Sequence, residues 1–418
     1  MLIKVQTKEL RPGMFVADVG RSWFNHPWTT KSKLLTSAGD IKLLMDYGIS
    51  SVTVDLSKST PSVVAELSGD KTPVEKVEPE AQVEQPKPEP RKIIATASPE
   101  VLSAMEEELP RAAKAYKKTL DTSKALLAAC KMNKKIELQA VRENIDELVE
   151  SVSRNRDALL ALIKLRQFDD YTYTHSLNVS VLAISTAKNM GLSDDELKIL
   201  GLGTMFHDLG KSRIPGHILN KPGKLTDEEF SVMRNHAALS GRIIQEQRLV
   251  VDDLVYKIAR NHHERDDGSG YPDKLRGDAI PHLVTICGLS DVYDALTSDR
   301  VYHKGRSPHE ALQFIYGLRG THFSAEWVDR FVQSVGIYAP GTIVQLNTDH
   351  AAVVMDVNPN ALHAPLIKVI ADPTGMLYSR PKLVNLADEK EAKGLVIKKV
   401  VPRDEAGIDP SYYFNIPK

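Results

Sequence analysis

The chain has 418 residues and a mass of 46.3 kDa, more than one ordinary domain needs and enough to bury a core without covalent staples. A formal charge of -1 supplies no basic field, which excludes nucleic acid as the main partner. Two cysteines, Cys130 and Cys287, cannot build a disulfide framework; with no apolar signal core in MLIKVQTKEL and no long apolar run, they point to a soluble, cytoplasmic chain without a membrane partner.

Residues 1–56 alternate short apolar stretches (Leu2 to Val5, Met14 to Val19, Val52 to Leu56) with turn signals such as Pro12-Gly13, which predicts a small strand-containing module, α/β or β. Trp23, Phe24, His26, Pro27 and Trp28 lie close together there and read as local packing. Residues 57–98 carry six prolines, many Glu and Lys and no aromatic, the composition of an extended linker. From Pro99 a Leu-, Ala-, Glu- and Lys-rich helical pattern begins, with Pro110 expected to interrupt it. We read 99–147 as a helical connector and 148–335 as an all-helical domain. Ser193 with Glu196, Thr226 with Glu229 and Ser307 with Glu310 have capping-box spacing and mark helix starts. After Tyr338 short β-type runs return, and 336–418 reads as a small β appendage. The fold class is mainly α, a helical bundle flanked by two small strand-containing modules.

Histidines carry the chemistry. His175, His207 followed by Asp208, His236, the pair His262-His263 and then Asp291 each fall on or at the end of a separate predicted helix, about 26 to 32 residues apart. A bundle can turn them toward one point. Imidazole with carboxylate suits Fe, Mn, Zn or Ni, and seven ligands exceed one mononuclear site. Two metals are therefore implied, with Asp208, held beside His207, the natural bridge; two metals and a bridging water are a device for phosphoester hydrolysis.

The stretches around these residues are His207-Asp208-Leu209-Gly210-Lys211, His262 to Pro272 with Gly268, Gly270 and Tyr271, and Asp291 to Arg300. They resemble the HD-GYP phosphodiesterases, an HD-superfamily branch acting on the bacterial second messenger cyclic di-GMP. The resemblance spans about 148–335, where the fold it implies is an HD-type bundle. Residues 1–56 also resemble a module of unknown role that often precedes this domain.

The resemblance implies that His175, His207, Asp208, His236, His262, His263 and Asp291 are metal ligands. It implies two divalent ions per chain, Fe or Mn first and Ni or Zn also compatible. The implied reaction is attack of a metal-bridging hydroxide on cyclic di-GMP, giving pGpG, or GMP after a second cleavage, and lowering the messenger in bacterial signalling. Lys211 takes a catalytic, phosphate-facing role, or else complements a helix dipole. Asp169, Gly270, Tyr271 and Arg300 belong to the substrate side; Tyr271 either stacks on guanine or plugs the loop against the bundle, and the two glycines allow turns closed to other residues.

Two departures stand out. Trinuclear members have a glutamate where this chain has Tyr171, which predicts a binuclear site here. The usual lysine three residues after the arginine is His303, so Lys304 beside it is the remaining cation for the phosphate. The readings of other classes are a cyclic di-GMP receptor or a module for diguanylate cyclase domain proteins with little turnover, and an HD hydrolase of another nucleotide.

Overall fold

The structure, a computed structural model, describes residues 2–18, 33–46, 49–60, 99–165, 171–298, 305–358 and 361–414. The aromatic cluster around Trp23 and most of the proline-rich segment lie outside the described residues, as do Asp169, Arg300, His303 and Lys304. The chain divides into two units, 1–92 and 93–418.

The first unit is a four-stranded antiparallel sheet in the order β1-β4-β2-β3, with β1 at Leu2–Gln6, β2 at Phe15–Asp18, β3 at Lys33–Leu34 and β4 at Ser51–Asp55. Alternation along β4 sends Val52 and Val54 to one face. There they meet Val5, Met14, Val16 and Leu44, the last from the helix α1, Ala38–Asp46.

The second unit opens with α2 (Pro99–Lys131), α3 (Leu138–Arg154), α4 (Arg156–Leu165) and α5 (Tyr171–Asn189). Pro110 lies inside α2 rather than breaking it. Its side chain is exposed, so the carbonyl it leaves without a donor is on the wet side, while Leu109, Ala112 and Tyr116 anchor the other face. Both α2 and α3 contribute to the core that the later helices share, through Leu109, Tyr116, Ile145 and Leu148. Then follow α6 (Asp194–Phe206), the short α7 (Gly216–Leu219), α8 (Asp227–Glu246), α9 (Asp253–Asn261), α10 (His282–Thr297), α11 (Pro308–Gly317) and α12 (Ala325–Val335). The three capping boxes form as the spacing predicts, at the starts of α6, α8 and α11. Among the described residues no helix is long and apolar enough to cross a membrane.

Five antiparallel strands follow, β5 (Ile343–Leu346), β6 (Ala351–Asp356), β7 (Leu366–Ala371), β8 (Leu377–Asn385) and β9 (Ile397–Val400), in the order β8-β7-β6-β5-β9. The sheet is apolar on both faces. Ile343, Val353, Met355, Leu366 and Ile370 join the helical core, whereas Val344, Leu346, Ala352, Val354 and Ile367 form a second cluster on the opposite face.

Candidate metal centre

The seven residues singled out by spacing meet in one place. His175 comes from the first half of α5, His207 caps the C-terminal end of α6, and Asp208 opens the 3₁₀ turn Leu209–Arg213 behind it. His236 lies within α8, His262 caps α9 with His263 next, and Asp291 lies within α10. Three overlapping sets, His236/His262/His263, His175/His207/Asp208 and His207/His262/Asp291, each have donor atoms within 4.8 Å of one another.

Backbone contacts fix which nitrogen each imidazole offers. The Nδ1 atoms of His207, His236 and His262 lie 2.5, 2.7 and 3.1 Å from the carbonyls of Thr204, Met233 and Ala259, three residues earlier in each case. A carbonyl only accepts, so Nδ1 carries the proton and Nε2 presents a lone pair. Those lone pairs converge: His236 Nε2 is 3.3 Å from His262 Nε2 and 3.1 Å from His263 Nε2. His207 Nε2 and Asp208 Oδ1 are buried without a hydrogen-bond partner. Facing lone pairs and orphaned buried acceptors are costly alone and fit a cation between them.

The carboxylate of Asp208 turns its two oxygens to different histidines. Oδ2 lies 3.4 and 3.5 Å from Nε2 of His207 and His175, and Oδ1 lies 3.5 Å from Nε2 of His236. Asp291 Oδ1 is 3.1 Å from His175 Nε2, and its Oδ2 is 3.9 Å from His263 Nδ1.

Burial works against both carboxylates, but the surrounding cations outweigh it. Lys211 and the histidines hold Asp208 well below the usual carboxylate range, and His175 does the same for Asp291. Burial would depress His175 too, yet Asp291 and Asp294 raise it to about 9. Burial dominates at His262, well below its usual value, and at His263, lowered to about 3. The two carboxylates are therefore ionised and the His262 and His263 imidazoles neutral, while His175 keeps a second proton that a cation would displace from Nε2.

Lys211 is three residues past Asp208 across the 3₁₀ turn, and its Nζ donates to Asp208 Oδ2 at 2.6 Å. Access decides where a ligand enters. The His207 side chain has no exposure, against 27% for His263 and 36% for Lys211, so the centre opens on that side. Tyr271 is there too, its ring 4.8 Å from His263 and 6.4 Å from His236. Burial pushes its phenol well up from the ordinary value. Gly268 has φ +78°, the left-handed turn expected of it. Gly270 needs glycine for another reason, since a Cβ there would lie 2.4 Å from the Arg265 nitrogen and 2.5 Å from Glu264 Cα.

Several supporting residues escape a reading of the sequence alone. Asp294, one turn beyond Asp291, accepts from His175 Nδ1 at 2.7 Å; the i, i+3 spacing of two aspartates is the available signal. Ser240 Oγ donates to the His207 carbonyl at 2.7 Å and accepts from Gly210 N at 2.8 Å, tying α8 to the turn behind Asp208. Glu264, buried, accepts the amides of Asp273 and Leu275 at 2.6 and 3.1 Å. Asp273 in turn takes Arg260 Nε and Nη2 at 2.8 and 2.6 Å and Asn261 at 2.8 Å. The loop that carries Gly268, Gly270 and Tyr271 is thus held by carboxylates from its own flanks.

The chain is similar to known proteins over most of its length. Families described as a domain of unknown function (DUF3391), an HD domain and a KOW domain associated with HD domain match residues 2–141, 146–326 and 343–407. It is 35% identical over 370 residues, 88% of this chain and 85% of the relative, to a Pseudomonas aeruginosa protein named cyclic di-GMP phosphodiesterase PA4108. It is 36% identical to the Xanthomonas campestris cyclic di-GMP phosphodiesterase response regulator RpfG, over 44% of this chain and 49% of that one. A Vibrio cholerae protein named 3'3'-cGAMP-specific phosphodiesterase 2 is 30% identical over 46% of this chain and 37% of its own.

Proposed function

We propose, from the premise that this chain belongs to the HD-GYP family of cyclic di-GMP phosphodiesterases, that it hydrolyses cyclic di-GMP at a centre of two divalent metal ions. The observation that carries the reading is the two-sided Asp208 carboxylate. Its Oδ2 faces His175 and His207 and its Oδ1 faces His236, and these residues with Asp291, His262 and His263 would hold the ions. Bound there, divalent ions supply a water of lowered pKa and a clamp for phosphoryl oxygens. Imidazole with carboxylate favours Fe or Mn, with Ni or Zn also suited.

The protein's own groups supply the rest. Asp294 holds the His175 proton on Nδ1 and so keeps Nε2 toward the centre. Lys211, held at the open side by Asp208, presents an ammonium to the negative charge that grows on phosphorus-bound oxygen as the ester breaks. Tyr271, packed on His263, and the cradle that only Gly270 fits shape the wall facing the substrate. Asp169, Arg300 and Lys304 are assigned the remaining substrate contacts from the family motif alone. The linear dinucleotide pGpG is the first product, and a second cleavage would give GMP. Cyclic dinucleotide specificity is the point on which a second reading rests, because a relative is named for 3'3'-cGAMP.

Product analysis by liquid chromatography tests the proposal, with metal-assayed protein loaded in turn with Fe(II) and Mn(II). A His207→Ala plus Asp208→Ala variant serves as control. The expected result is pGpG or GMP from the wild type alone at about two metal ions per chain. Two ions bound with no product would overturn the activity and leave a binding role.

A further inference from the structure

A stack of three side chains runs outward from the metal-centre histidines. Phe230 and Arg234 lie one turn apart on α8, and Arg234 is two residues before His236. The Arg234 Cζ is 5.3 Å from the Phe230 ring centroid and 6.0 Å from that of Tyr271, which is itself 4.8 Å from His263.

Two features exceed what packing requires. Phe230 leaves 48% of its surface in water, at the open side of a polar centre. Several neighbouring cations have carboxylates, Arg213 with Glu246, Lys221 with Glu229 and Arg260 with Asp273. Among the described residues none pairs with Arg234, which is exposed.

A guanidinium flanked by aromatic rings is fixed in orientation, and its N–H edges remain as unspent donors. Two parallel N–H groups match two adjacent acceptors. The O6 and N7 atoms of guanine provide that pair, whereas adenine offers one acceptor at N7 and a donor at N6. Phe230 adds an exposed apolar surface for a base face, a feature a bare phosphate site has no use for.

We propose that Arg234, oriented by Phe230 and Tyr271, reads the O6/N7 edge of one guanine of the cyclic dinucleotide and so sets the base preference of the site. The assignment rests on the substrate class proposed above. It makes Arg234 a specificity residue, outside the metal-ligand set.

The test uses the full chain loaded with Mn(II) and the variants Arg234→Ala, Arg234→Lys and Phe230→Ala. The substrates are cyclic di-GMP, cyclic di-AMP and the purine-free bis(p-nitrophenyl) phosphate. Loss of a bidentate base contact predicts a KM for cyclic di-GMP raised about ten- to hundredfold in both Arg234 variants, with kcat much less affected. The loss for cyclic di-GMP exceeds that for the purine-free diester, and the preference for guanine over adenine collapses. Phe230→Ala moves the same way to a smaller extent. Restoration by lysine would mean a charge contact to phosphate and would overturn the assignment, as would parallel losses on all three substrates, the mark of a packing role. A wild type that cleaves bis(p-nitrophenyl) phosphate but no cyclic dinucleotide would instead overturn the substrate reading, a failure visible before any variant is made.

Discussion

The Asp294 carboxylate accepts the Nδ1 proton of His175 at 2.7 Å, one helical turn beyond Asp291, which meets the opposite nitrogen of the same ring at 3.1 Å. One helix thus grips one imidazole from both sides. Removing the outer carboxylate frees the ring to rotate and to shift its proton to Nε2. Asp294→Ala is expected to weaken metal binding by about ten- to a hundredfold. Asp294→Asn keeps an oxygen acceptor and is expected to fall between it and the wild type. Competition with a chelator of known affinity measures both; equal binding by all three proteins would remove Asp294 from the centre.

Gly210 passes so close to α8 that an added Cβ would lie 1.9 Å from the His236 carbonyl oxygen and 2.7 Å from the Ser240 nitrogen. Backbone cannot yield as a flexible side chain can. Gly210→Ala is expected to cost at least about 2 kcal/mol and to disturb His207, whose carbonyl is held by Ser240. At Gly317, the end of α11, an added Cβ would meet nothing within 4 Å. Gly317→Ala is therefore expected to change stability by less than about 1 kcal/mol. Urea unfolding of the two variants tests the contrast.

Much of this was legible in the sequence because the signals were local or periodic. The hydroxyl and carboxylate of each capping box lie three residues apart, and those helix starts follow from spacing alone. Histidines spaced at helix-length intervals told which side chains could converge, and the structure brings all seven together. What spacing does not carry is the partner across a gap. Ser240 is an ordinary helical serine until Gly210 comes within reach of it, and Glu264 is a surface-type residue until the loop after it folds back over its carboxylate. The two-faced packing of β5 to β7 was hidden for the same reason, since alternation sorts residues by face without saying what covers each face. The helix α1 falls under the α/β alternative for residues 1–56, although the alternating apolar stretches around it mark only the strands.

Asp356, at the end of β6, is buried beside Asp157 and Arg156 at the start of α4. Arg156 donates to Asp157 at 3.0 and 2.9 Å and lies 3.8 Å from Asp356, while also donating to Asn189 at the end of α5. Burial and then the Asp157 carboxylate push Asp356 well up from the usual carboxyl range, to which the single nearby guanidinium is an incomplete answer. Its folded state therefore keeps a proton that the unfolded chain releases. Above the ordinary carboxyl pKa of about 4 the folded state binds more protons than the unfolded, so this group's contribution to stability falls as pH rises, until the folded form also ionises. Asp356→Asn imitates the protonated form and is expected to flatten that decline. Melting temperatures of wild type and variant between about pH 5 and about pH 9 should diverge, the variant gaining toward alkaline pH; parallel curves would refute the shared proton.

Metal removal acts on the same logic of unpaired polar groups. Without a cation, the Nε2 lone pairs of His236 and His262 face each other at 3.3 Å, and His207 Nε2 and Asp208 Oδ1 remain buried without hydrogen-bond partners. These groups come from α6, α8 and α9, so a bound ion joins three helices that are otherwise held by packing and by the Ser240 hydrogen bonds. Chelation is expected to lower the melting temperature, and Mn(II) or Fe(II) to restore it with saturation, because a ligand that binds only the folded state stabilises it by mass action. Hydrogen exchange should locate the loosening at the C-terminal ends of α6 and α9, where His207 and His262 cap their helices. The His207→Ala plus Asp208→Ala variant provides the reference. Added metal should raise its melting temperature far less than that of the wild type, and an equal rise in both proteins would place the stabilising ion elsewhere.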